Sequence, residues 1–294
     1  MRVLLLLFLL PAAFPAQTLT GVVDVHAHSD PDSMPRSIDA IDLAKVAKSR
    51  GIRAIVLKNH FEPTSSLAYA VRKVVPGIEV FGGVVLNRPV GGLNVAAVER
   101  MAANKGGWGR VVWMPTFDAE NQVRTSKEDR PFVPVSKGGK LLPAVGEILA
   151  AVARHKLVLA TGHSSPAEVL MLVQAARQAG IQKILVTHAT LGPVMMTTAQ
   201  MKEAAHIGAY IEFVGNAVLG HTKVFEFGDY VAAIRAIGPE RCILSSDLGQ
   251  AGNPTHPEGL QQILTGLAKA GLNSAELRML TVSNPARLLG LSEK

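Results

Sequence analysis

Cysteine is almost absent: Cys242 is the only one in 294 residues. No intramolecular disulfide can form, which excludes a disulfide scaffold and a thiolate metal cluster. Cys242 lies in the apolar run Cys242-Ile243-Leu244 and reads as a small buried residue, not a nucleophile. Aromatic residues are also few, at 5%, with two Trp and three Tyr. There is no aromatic platform for saccharides and no aromatic-interleaved basic stripe, so nucleic acid is not an expected partner. Gly82-Gly83 and Gly91-Gly92 lack phosphate-loop spacing and read as turns. Ser164-Ser165 and Ser245-Ser246 lack the strand-to-helix elbow of a serine hydrolase.

Long apolar runs are missing too. Val3 to Leu10, between Arg2 and the segment Pro11-Ala12-Ala13-Phe14-Pro15-Ala16, falls short of a spanning helix, which needs roughly 20 apolar residues. It reads as a secretory signal over residues 1–17, so the expected protein is exported to the periplasm or beyond with no stable membrane span. Residues 18–294 then form one domain. The net charge of +7 is scattered and supports only a mild preference for anionic substrates or surfaces. The sequence fixes no oligomeric state and is compatible with a homo-oligomer.

Aliphatic material is abundant. Hydrophobic residues make up 48% of the chain, enough for one extensive core. From Gly21 onward, short β-branched runs alternate with amphipathic stretches such as Ile38 to Ser49 and Ala167 to Gln178, and Gly51 and Gly180 read as helix stops. Eight strands are predicted, ending at His28, Lys58, Leu86, Pro115, His163, His188, Val214 and Asp247. Near-continuous apolar strands suit a parallel sheet covered on both faces. Eight strand–helix units at this length match a (β/α)8 TIM barrel better than an open doubly wound sheet. Two segments fall outside the repeat: Thr116 to Leu142, a long charged loop after strand four with hairpin character near Ser136–Lys140, and a short terminal helix with Asn284 as its cap and Pro285 at its first position.

Five polar residues close four of these strands. Asp24, His26 and His28 share one face of strand one, because side chains two apart project the same way. His163 ends strand five, His188 strand six and Asp247 strand eight. In a barrel, His26, His28, His163, His188 and Asp247 converge on one mouth. Imidazoles and a carboxylate suit a divalent metal, Zn above all, with Mn or Fe as alternatives.

This pattern resembles the amidohydrolase superfamily of metal-dependent barrel hydrolases, in a poorly characterised branch. The resemblance covers nearly all of residues 18–294 and includes Asn284-Pro285-Ala286-Arg287-Leu288-Leu289-Gly290 near the end. It implies that His26, His28 and Asp247 hold one metal, with His163 completing that site or holding a second. It further implies that Asp247 takes the proton of the attacking water, and that His188 ligates a second metal or steadies charge on the substrate. One departure matters. Strand four ends Trp113-Met114-Pro115-Thr116 and strand three Leu86-Asn87-Arg88, so the usual bridging lysine or glutamate is missing and one ion or two both stay open.

Lys58, closing strand two, is the substitute to consider: a carboxylated bridge, a contact for a substrate anion, or a plain surface lysine. His60 joins it as a substrate-binding candidate. Asn87 and Arg88 suit an anion clamp or, equally, loop solvation, and His221 and His256, in the loops after strands seven and eight, suit substrate contact or solvent. Glu212, a carboxylate inside Ile211-Glu212-Phe213, needs a partner and suits the orientation of a ligand histidine. The expected reaction is hydrolysis of an amide, ester, lactone or related C–N or C–O bond of a small molecule. Mononuclear decarboxylase or lyase chemistry is the alternative, and a non-catalytic metal-binding barrel the second.

Overall fold

Buried β-branched and aliphatic runs set the architecture. In the computed structural model, which describes residues 18–292, they form eight strands: β1 Val23–Ala27, β2 Ala54–Leu57, β3 Glu79–Val85, β4 Gly109–Trp113, β5 Val158–Ala160, β6 Ile184–Val186, β7 Tyr210–Val214 and β8 Cys242–Ser245. Neighbours in sequence are neighbours in the sheet, and every barrel pair is parallel. β8 returns to β1 just past its end, where Ala27 pairs with Leu248. The expected (β/α)8 barrel is therefore what the chain forms. The expected signal, residues 1–17, lies outside the described residues. Among the described residues no helix is long and apolar enough to cross a membrane.

The helices are α1 Ala40–Ser49, α2 Ser65–Val74, α3 Val95–Ala102, α4 Glu120–Thr125, α5 Pro143–Arg154, α6 Pro166–Gln178, α7 Thr198–Ile207, α8 Phe227–Ile237, α9 His256–Lys269, α10 Ser274–Arg278 and α11 Asn284–Leu289. Local signals place their ends. Asp39 accepts from the Ile41 and Asp42 amides at the start of α1, and Ser165 with Glu168 forms a capping box for α6. Gly51 and Gly180 take φ of +82° or less at helix ends, as expected. One core lies between sheet and helices; the other fills the barrel with Val25, Val56, Phe81, Trp113 and Ile243 and is plugged below by Leu288 and Leu289 of α11.

Three details differ from expectation. Gly82 and Gly83 are not a turn but lie inside β3, at a register shift against β4. A Cβ at Gly83 would overlap the Val111 carbonyl and the Trp113 ring, so the glycine is what lets Trp113 fill the barrel. Asn284 does not cap α11. The chain is already helical through α10 and the wide turn Met279–Ser283, and the buried Asn284 amide instead donates to the Pro239 and Cys242 carbonyls. The loop after β4 carries the expected hairpin, Ser136–Lys137 against Lys140–Leu141, and also α4, which the sequence did not suggest.

Candidate metal centre

Barrel closure itself assembles the first half of the site. The Asp247 amide donates to the His26 carbonyl at 2.8 Å, and the His28 amide donates to Leu248 at 2.9 Å. These bonds tie the end of β8 to the end of β1 and bring three side chains together. Asp247 Oδ1 lies 3.1 Å from His26 Nε2 and 3.0 Å from His28 Nε2, and one ligand atom from each residue falls within 4.8 Å of the others. All three are buried. Asp247 holds φ +48° and His188 φ +24°, left-handed values that non-glycine residues adopt at a cost of roughly 1–3 kcal/mol each.

The second half comes from β5 and β6. His163 Nε2 and His188 Nε2 stand 3.1 Å apart, with ring centroids at 4.8 Å. Gln122 of α4 reaches in so that its Oε1 lies 2.8 Å from His163 Nδ1, and Asn121 donates to the His163 carbonyl at 3.0 Å. Glu212 binds both halves. It takes His26 Nδ1 at 3.1 Å, the His188 amide at 2.8 Å and the Ser245 hydroxyl at 2.6 Å. The buried Glu212 therefore has the partners it needs, and one of them is the His26 ring.

Accounting for protons shows what the cluster requires. His28 Nδ1 faces the Lys58 carbonyl at 2.6 Å, which only accepts, so Nδ1 carries the proton and Nε2 a lone pair. That lone pair points at Asp247 Oδ1. Burial keeps His28 neutral, well below its ordinary pKa, although the Asp247 hydrogen bond pulls the other way. Burial alone would raise the Asp247 carboxyl; His26 and His28 outweigh it and hold the carboxyl well below its usual range. His28 Nε2 and the Asp247 carboxylate thus face each other at 3.0 Å. His26 turns Nδ1 to Glu212, and its Nε2 faces both Asp247 Oδ1 and Lys58 Nζ. His163 gives Nδ1 to Gln122 and turns Nε2 inward, while His188 Nδ1 is a buried atom with no partner. Burial lowers His163 well below its usual range and His188 to about 4. Buried nitrogen and oxygen atoms converging on one point fit a bound cation, and the N/O donor set fits a borderline divalent ion.

Lys58 is no surface lysine. Its side chain is buried, with Nζ 3.0 Å from His26 Nε2 and 5.8 Å above the Trp113 ring. Burial lowers it to about 8, against the nearby charges of Asp247 and Glu212. His60 stacks on His28 at 4.9 Å and on Phe117 at 4.2 Å, with Nδ1 3.0 Å from Thr116 Oγ1. Phe117 also packs on His163 at 5.7 Å and Phe61 on Phe117 at 6.3 Å, so two loop aromatics roof the mouth.

Other candidates lie elsewhere. Asn87 is buried and ties the Thr116 amide and hydroxyl to the His60 carbonyl, a scaffold for the loops and not an anion clamp. The Arg88 side chain is exposed beside Gly91, Gly92 and Phe132, away from the histidines, and its backbone amide donates to Asp118. His221 is exposed on the rim near Gly252. His256 is buried at the start of α9, where burial lowers it to about 4. Asp24 sits one layer below His26, His28 and Asp247, accepting from the His26 and Ser246 amides; burial raises its carboxyl to about 6. Gln122, Phe117 and Thr116 had no sequence signal, because they lie in the long irregular loop.

A model of a family of unknown function, DUF6282, matches residues 21–212. The chain belongs to this family. The match spans β1 to β7 and so includes His26, His28, Lys58, His163, His188 and Glu212, and stops short of Asp247. A search of curated proteins found no match. Among solved structures, an organophosphorus hydrolase from Deinococcus radiodurans aligns over 94% of this chain and 96% of its own, at 16% identity and TM-score 0.60. An amidohydrolase from Pseudomonas aeruginosa aligns over 91% and 95%, at 12% identity and TM-score 0.62. A mutant PTE-like lactonase from D. radiodurans aligns over 94% and 98%, at 16% identity and TM-score 0.60. These likenesses bear out the expected barrel fold.

Proposed function

We propose that this chain is a metal-dependent hydrolase of a small, anionic molecule, cleaving an amide, ester, lactone or related C–N or C–O bond. The observation that carries the reading is convergence: His26, His28 and Asp247, all buried, bring one ligand atom each within 4.8 Å of the others at the C-terminal mouth of the barrel, where barrel enzymes do their chemistry. That the similarly folded proteins bear the names organophosphorus hydrolase, lactonase and amidohydrolase agrees with hydrolysis.

His26, His28 and Asp247 would hold the first ion, with Zn preferred and Mn or Fe alternatives; His163 and His188 present their Nε2 atoms for the substrate or a second ion. A bound divalent cation supplies Lewis acidity, polarising the scissile group and easing deprotonation of water. Asp247, ionised and at the point of convergence, accepts the proton of the attacking water and returns it to the leaving group. Glu212 locks the His26 ring by holding its Nδ1 proton and anchors the strained backbone at His188. Lys58 we assign as a buried ammonium that holds an anionic group of the substrate, since Asp247 and Glu212 favour its charged form. Phe61 and Phe117 exclude water above it.

A second reading keeps the ion and makes the reaction decarboxylation. One observation favours it: Trp113 and Leu86 fill the ends of β4 and β3, so those strands put no carboxylate between the two halves. The export expected from the run Val3 to Leu10 belongs to the proposal as well, and N-terminal sequencing of the protein recovered outside the cytoplasm tests it.

The functional test is a panel of lactones, esters, amides and phosphotriesters, with carboxylic acids assayed for CO₂ release. The enzyme is assayed as purified, after chelation, and after return of Zn²⁺, Mn²⁺ or Fe²⁺. Hydrolysis lost on chelation and restored by metal is the expected result. CO₂ release without hydrolysis would favour the second reading, and activity indifferent to chelation would overturn both.

A further inference from the structure

The face of the barrel opposite the mouth is strongly basic. Seven of the eight helices that cover the barrel carry Lys or Arg in the last turn, and the eighth carries His206. Helix dipoles favour a cation at each of those ends, which accounts for one charge per helix. They do not account for Arg50, Lys105, Arg110, Lys156, Lys183 and Arg241, which lie past the helix ends in the loops and strand starts of the same face. In all, this face holds seventeen Lys and Arg against four Glu, whereas the rest of the described chain holds eleven against eighteen acids.

Three of the four glutamates are already engaged. Glu79 pairs with Arg53 at 2.9 Å, Glu99 with Arg154, and Glu276 lies 4.0 Å from Arg235. Around Lys183 the cations crowd one another. Burial lowers Lys183, and Arg110 and Lys156 lower it further. Arg110 Nε is a buried donor with no partner, and Arg72 lies flat on the Trp108 ring at 3.6 Å. Crowded like charges destabilise a fold unless counter-charge comes from outside.

The chain also enters the barrel on this face, where the Gly21 amide donates to the Gly51 carbonyl at 2.9 Å. Val74, 56% exposed, adds an apolar contact beside Lys73.

We propose that this basic face docks on a lipid surface bearing anionic headgroups, leaving the metal-centre mouth turned toward the aqueous side. The proposal does not depend on the reaction at the mouth. Each exposed Lys or Arg held near such a surface contributes attraction that salt screens.

The test is co-sedimentation of the full chain with phosphatidylcholine vesicles, with and without phosphatidylglycerol, at low and high salt. Two charge-matched variants locate the surface: Lys73→Glu/Lys105→Glu/Lys269→Glu on the basic face, and Lys137→Glu/Lys140→Glu/Lys223→Glu on the opposite face. Binding should require phosphatidylglycerol, weaken in salt, and fall by about tenfold or more in the first variant but less than about twofold in the second. Should the first variant fail to fold by circular dichroism, the same three positions as Gln replace it, with a smaller loss expected in the same direction. Equal losses in both variants, equal binding to pure phosphatidylcholine, or no vesicle binding would each overturn the proposal.

Discussion

The two halves of the polar cluster are built differently. His26, His28 and Asp247 stand on two strands joined by backbone hydrogen bonds, so the barrel cannot close without bringing them together. His163 and His188 also stand on neighbouring strands, but their orientation comes from elsewhere: Gln122 on the inserted α4 holds one ring, and Glu212 holds the backbone of the other. The first half owns a carboxylate and touches Lys58; the second has an aromatic roof nearby. A ligand set written into the core is rigid, whereas one that leans on a loop can be retuned by changing the loop.

The largest effect should follow from attacking the first half. Asp247→Ala removes both a ligand and the proton acceptor, and turnover should fall by roughly 10²–10⁴-fold in steady-state assays of the metal-loaded enzyme. Such a variant retaining wild-type turnover would dissolve the distinction between the halves.

Acid should expose the second half. His188 titrates at about 4 in the fold because burial disfavours its charge, against 6.5 unperturbed. The unfolded chain then binds the proton first, so stability present above about pH 6.5 is lost as pH falls toward about 4. For His188 alone this is about 3 kcal/mol. His188→Asn, chosen because Asn tolerates the left-handed φ, should flatten the pH dependence of metal-free denaturation midpoints by that order.

Glu212→Gln keeps the shape but loses the charge that holds the His26 Nδ1 proton. Metal affinity in competitive chelator titrations should weaken about 10–100-fold. Gln122→Ala should do least, about tenfold or less in the same titration, with the first half unaffected. If the two variants cost the same, the inserted loop matters as much as the core.

This contrast also explains what the sequence shows. The histidines and Asp247 were legible because each follows an apolar run directly, and the period of a strand fixes which way it points. The barrel followed from the same runs. Lys58 was visible but ambiguous, since a residue just past a strand can face in or out; Trp113 and Gly83 settle it by shaping the cavity it enters. Asn87 and Arg88 were ambiguous for a related reason: polar residues in loops serve loop hydrogen bonds as readily as ligands, and Asn87 is spent on the loops. Gln122, Phe61 and Phe117 act through long-range placement by irregular backbone, for which no periodicity exists to read.

The central claim is that His26, His28 and Asp247 hold a divalent cation. The most direct test is metal content per chain for protein purified without added metal, wild type beside Asp247→Ala and Lys58→Ala. At least about one equivalent in wild type and in Lys58→Ala, lost in Asp247→Ala, is the predicted result. No metal in wild type even after reconstitution, or undiminished metal in Asp247→Ala, would contradict it.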